Sequence, residues 1–149
     1  MSSTSAPQTP AYLPLRLVRP NDLSGATAQT PGMSRTEAIS ARTVGARHIW
    51  MGRTIAPAGK VSGVYYHGES ETALYVLRGR ATMFFGEGLR ERLDIRAGDF
   101  LFVPAWAIHA EGNLNDEDGE AIVVRSTAEA IVVAMPELHV PEDVLAARG

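Results

Sequence analysis

Two of the four histidines in this 149-residue chain stand in surroundings that could do chemistry. His67 lies in the run Gly63-Val64-Tyr65-Tyr66-His67-Gly68-Glu69-Ser70-Glu71. His109 closes the run Pro104-Ala105-Trp106-Ala107-Ile108-His109. Neutral imidazole is the commonest side-chain ligand of transition metals. Two imidazoles with one carboxylate form a facial set that leaves coordination positions open for substrate or oxygen. Such a set suits iron, manganese, nickel, cobalt or zinc, and not calcium, which takes all-oxygen shells. Without a metal the same residues are polar groups at loop mouths. The chain has no cysteine, which removes disulfides, thiolate zinc sites and a cysteine nucleophile together.

The elements that must position these groups are short strands. From residue 44 onward, apolar runs alternate with turn residues every 8–12 positions, the rhythm of an all-β sandwich or barrel. Strands are expected over 47–55, 63–67, 72–78, 81–85, 90–95, 99–103, 107–112, 120–126 and 130–134, with a helical stretch only at 141–148. Successive strand residues face opposite sides, so Tyr65 and His67 point the same way. Five prolines fall within residues 1–31, which excludes a helix or a central strand there. Residues 1–10 read as disordered and 11–31 as an extended arm. The barrel domain is then 32–135 and the tail 136–149. Ser34-Arg35-Thr36-Glu37 matches a capping box and predicts a helical turn over 34–40.

Together the two histidine segments resemble the paired motifs of the cupin superfamily. Gly98, Pro104, His109 and Asn113 keep the second motif's spacing, with Trp106 where a glycine is usual. His67, Glu71 and Gly79 fit the first motif, and Tyr65 stands where its first histidine belongs. The resemblance spans about residues 44–134 and is closest to a branch of small single-domain cupins. It implies a jelly-roll barrel, the double-stranded β-helix, with an extended N-terminal arm. It also implies one divalent transition metal held by His67, Glu71 and His109. Glu71 fits the ligand position better than Glu69, which sits inside a tight turn.

Other residues could shape such a site. Tyr65 could ligate as phenolate, donate a hydrogen bond to a bound substrate, or simply fill the space. Trp106 is either a rim residue or a flat wall against the substrate. His48 shares a strand face with Trp50 and is either an exposed edge residue or a hydrogen-bonding partner in the pocket. Tyr75 has the parity of Glu71 and is expected in the core. His139 is expected in solvent. Arg35 could reach a substrate carboxylate if the arm folds over the barrel mouth.

Two functions follow. One is a metal-dependent enzyme, of dioxygenase or isomerase and cyclase type, acting on a small organic substrate. The other is a non-catalytic module that binds a small ligand, with the metal vestigial or absent. The net charge is −3 with scattered Lys and Arg, so no basic stripe invites nucleic acid. No apolar run approaches the ~20 residues of a membrane span, and no signal peptide opens the chain. A cytoplasmic protein without membrane contact is expected. Exposed sheet edges and the arm predict a homodimer.

Overall fold

A computed structural model describes residues 9–147 of the chain. The disorder expected over 1–10 therefore falls mostly outside the described residues. The arm from residue 9 to Leu23 is exposed along most of its length and holds only a single 3-10 turn, Pro20–Asp22. Its last part docks: the Gln29 side chain bonds both backbone groups of Arg35, and Thr30 is buried.

The first regular element corrects the sequence. Ser34–Ile39 is a strand, β1, and not a helical turn. Its residues pair with β2 (Trp50–Ala56), and that ladder outweighs a local capping signal. The capping box lies six residues later, where Ser40 and Thr43 cap the short helix α1 (Ala41–Val44). The remaining strands are β3 (Tyr65–Tyr66), β4 (Thr72–Arg78), β5 (Arg80–Phe85), β6 (Glu91–Arg96), β7 (Phe100–Val103), β8 (Ala110–Gly112), β9 (Gly119–Arg125) and β10 (Val133–Ala134). A helix, α2 (Glu142–Ala146), closes the tail.

The strands form an antiparallel sheet in the order β1-β2-β9-β4-β7, facing a smaller sheet β6-β5-β8. β3 pairs with β10. This is the all-β jelly-roll sandwich the turn rhythm predicts. Alternation fills the interior with Leu74, Val76, Ala81, Met83, Ile95, Ala121 and Val123, packed with Trp50. Burying side chains of this size stabilises by about 1.5–3 kcal/mol each. The opposite face of β5 and β8 presents Phe84 and Ala110, which the tail covers through Leu138, Val140 and Val144.

Register then places a row of unlike residues across one end of the larger sheet. Trp50 on β2 lies opposite Arg125 on β9, Arg125 opposite Thr72 on β4, and Thr72 opposite Val103 on β7. The indole of Trp50 fits because residue 52 is glycine. A Cβ there would come within 2.6 Å of the Trp50 ring and 2.2 Å of the Thr36 carbonyl oxygen.

Candidate functional site

Tyr65, His67 and His109 converge inside the barrel at the end marked by this row, and all three are buried. Backbone pairing fixes two of them. Tyr65 N–H donates to the His109 carbonyl at 2.9 Å and His109 N–H returns a bond at 3.0 Å. Their rings stand 4.5 Å apart between centroids, and the two imidazoles 5.1 Å. Each histidine is oriented by its own chain surroundings. His67 Nδ1 bonds the Ile131 carbonyl at 2.8 Å, and His109 Nδ1 bonds the Ala107 carbonyl at 2.9 Å. Carbonyls only accept, so both Nδ1 atoms carry the proton and both Nε2 atoms are left as acceptors.

Four residues that no motif supplied complete the wall: Arg35, Thr72, Glu111 and Arg125 line the same cavity of about 20 Å³. Arg35 comes from β1. It donates to Thr30 Oγ1 at 2.7 Å and to the Tyr65 hydroxyl at 3.3 Å, and stacks over the Tyr65 ring. Arg125 lies over the Trp50 ring and reaches His67 Nε2 at 3.5 Å. Its Nε and Nη1 have no partner. The buried side-chain nitrogen and oxygen atoms without a partner, among the described residues, are these two, Thr72 Oγ1 and Trp50 Nε1. All four sit in the single row Trp50–Arg125–Thr72.

Burial sets the electrostatics. It pushes the His67 imidazole down to about 3, helped by the positive charge of Arg125, and His109 down to about 4. Both are neutral at physiological pH. Burial raises the Tyr65 phenol to about 12 against the pull of Arg35, so it stays protonated. Burial raises the Glu111 carboxyl to about 7, against both arginines. Burial lowers the Arg125 guanidinium to about 9, which leaves it charged at neutral pH. The cavity thus sets two buried guanidinium groups against a carboxyl that is half protonated near neutrality.

The sequence-predicted residues divide. Tyr65, His67 and His109 are brought together. Glu71 is not: it is exposed, and its neighbour Thr72 points inward. The turn at 68–71 sets the phase of β4 so that Thr72, Leu74 and Val76 are buried. The same phase turns Tyr75 outward from the core expected for it, to stack on Phe100. His48 lies exposed ahead of β2, while Trp50 is inside. His139 is exposed, as expected. Trp106 stands 66% exposed at the rim. Glu111 and Arg125 each left a trace in the sequence. Glu111 is two residues from His109 on one strand face, and Arg125 continues the inward stripe of Ala121 and Val123.

These residues do not fit a bound divalent metal as they are arranged. The expected third ligand points to solvent, and a neutral hydroxyl takes its place. No group of three or more His, Cys, Asp or Glu side chains among the described residues is placed to hold a metal ion. The lone pair of His67 that would ligate faces a guanidinium, and like charges repel strongly at low dielectric.

Comparison with known proteins agrees with the fold. Residues 53–125 match the family described as Cupin domain. That segment is a cupin domain. No curated protein matches the sequence. Among solved structures, the polyketide cyclase RemF from Streptomyces resistomycificus is 16% identical, with TM-score 0.67, over 87% of this chain and 89% of that one. Lactobacillus farciminis oxalate decarboxylase, solved as a formate complex, is 20% identical, with TM-score 0.65, over 77% of this chain and 34% of its own. Bacillus subtilis oxalate decarboxylase, an enzyme with Mn(II) centers, is 18% identical, with TM-score 0.63, over 75% and 30%. The chain spans about a third of the decarboxylases' length. At these identities the likeness is one of fold. No helix among the described residues is long and apolar enough to cross a membrane.

Proposed function

We propose that this cupin is a ligand-binding module that takes the carboxylate group of a small organic ligand into the barrel without a bound metal. The observation that carries this reading is the row of orphaned donors. Two guanidinium nitrogens and a hydroxyl in the cavity wall, and an indole N–H on the adjoining strand, are buried with nothing to accept from them. An unmade buried hydrogen bond costs about 1–3 kcal/mol, more for a charged group. A carboxylate supplies several acceptor positions and a charge to match Arg125. Arg35, from β1 of the same sheet, adds positive potential to the cavity. Glu111, holding a proton near neutrality, does not cancel both arginines.

The metal-dependent enzyme to which the motifs point needs a third ligand that this arrangement does not bring to His67 and His109. One experiment separates the two. Protein purified without chelator should carry no stoichiometric iron, manganese, nickel, cobalt or zinc after reconstitution and gel filtration. Sodium propanoate should shift the NMR signals of the Arg125 guanidinium and of both buried imidazoles, and Arg125→Met should abolish those shifts. One retained equivalent of metal, or no propanoate response, overturns the reading.

We also propose that the protein is a homodimer. The arm carries Leu13, Leu15 and Leu17 on one parity, all exposed, and the edge strand β7 presents Phe100 outward. A second copy would cover both. Light scattering should give a dimer for the full chain and a monomer when residues 1–30 are removed. An unchanged mass after truncation would exclude the arm from the interface.

A further inference from the structure

The interior cavity, at about 20 Å³, holds roughly one water and not the body of an organic ligand. A second concavity of about 540 Å³ opens beside it, within the ~300–1,000 Å³ typical of small-molecule sites. It lies where the edge strand β7 faces β5 and β6, and its wall includes Phe85, Leu93, Leu101, Phe102, Trp106 and Ile108. Met83, Val103 and His109 line both spaces. The groove and the polar cavity therefore share a wall. Met83, with its flexible thioether chain, is the part of that wall most able to move aside.

Trp106 gives a second, independent sign. Its φ is +66°, a conformation that a bulky side chain adopts only at a cost of order 1–3 kcal/mol. The second cupin motif usually has glycine there, which adopts it freely. Packing does not offset the cost, because the indole is two-thirds exposed and meets Tyr66 only at 6.1 Å between ring centroids. The turn is held by the Trp106 N–H bond to the Gly68 carbonyl at 2.8 Å. The strain keeps an aromatic face on the rim of an apolar groove. The one charged residue lining that groove, Glu87, is acidic. It disfavours a carboxylate in the groove and leaves the arginine row as the place for one.

We propose that this groove holds the apolar body of the ligand whose carboxylate the interior row binds, with Trp106 stacked on that body. The ligand class is then a monocarboxylate bearing an aromatic or branched aliphatic group. This rests on the carboxylate reading above.

The test is an NMR titration of the full chain with 3-phenylpropanoate, propanoate and the neutral 3-phenylpropan-1-ol. The phenyl acid should bind about tenfold tighter than propanoate and shift the Trp106 indole signal. Trp106→Gly should erase most of that tenfold preference while its Tm stays at or above that of the parent chain. Phe102→Ser, an exposed change, should weaken the phenyl acid severalfold and serves as a second variant. If 3-phenylpropanoate binds no tighter than propanoate while propanoate still moves the Arg125 signals, the groove inference falls and the carboxylate site stands. If the neutral alcohol binds as tightly as the acid, the carboxylate reading falls and takes the ligand class with it.

Discussion

The two ends of β9 treat buried charge in opposite ways. Near its start, Glu120 is bonded by Arg53 and by Arg78, the latter through Nε at 2.9 Å. The hydrogen bond from Arg53 in particular holds its carboxyl below the ordinary range. At its far end, Arg125 is more deeply placed and leaves two nitrogens unbonded. One strand, in one sheet, completes one charge from within the chain and leaves another incompletely bonded. A buried charge lacking partners is among the more expensive features a fold can keep. Its confinement to one row, beside two oriented imidazoles, is what the proposed carboxylate site rests on.

The contrast can be broken in stages. The largest effect belongs to Glu111. Its folded carboxyl, raised to about 7, holds a proton that the unfolded chain has released. Its contribution to stability is therefore complete below about pH 4.5 and lost as pH rises through about 7. The lowered histidines act oppositely: their contribution is complete above about 6.5 and lost as pH falls toward about 3 and about 4. Glu111→Gln removes only the first effect. Denaturant melts of variant and parent between pH 4.5 and pH 7 should therefore diverge. The variant should gain relative stability as pH rises, on the order of 3 kcal/mol across that window. A constant difference would show that Glu111 is not buried as described.

Arg125→Met comes next. Removing a buried charge with two unbonded nitrogens while keeping side-chain bulk should stabilise the fold by about 1–4 kcal/mol, with carboxylate binding lost. Thermal melts check the sign, and a lower Tm would mean that Arg125 is satisfied within the chain.

The smallest effect is at the completed end. Glu120→Gln weakens bonds to two partly exposed arginines and should cost about 0.5–1 kcal/mol. Opposite signs at the two ends of β9 are the sharpest form of the comparison. The same sign at both would erase it.

Much of this protein was legible in its residues. β4 runs from Thr72 to Arg78, as turn spacing required, and the paired motifs identified the fold. Strand parity put Tyr65 beside His67 on one face, because that rule is local and survives any tertiary context. Parity failed at the turn between β3 and β4. A turn can add or remove a residue of phase, and here Thr72 faces inward instead of Glu71. The helical turn expected at 34–40 failed for a related reason, since pairing with β2 outweighed a capping signal. The sequence alone pointed to a jelly roll and put Tyr65 and His67 on one face of a strand; the structure turned that face, and His109, inward. Only the tertiary structure decided that Arg35, Glu111 and Arg125 share their cavity. Their meeting depends on the register of β1, β8 and β9 across long loops, where pairing is fixed by packing of the whole interior and not by any neighbour in the chain.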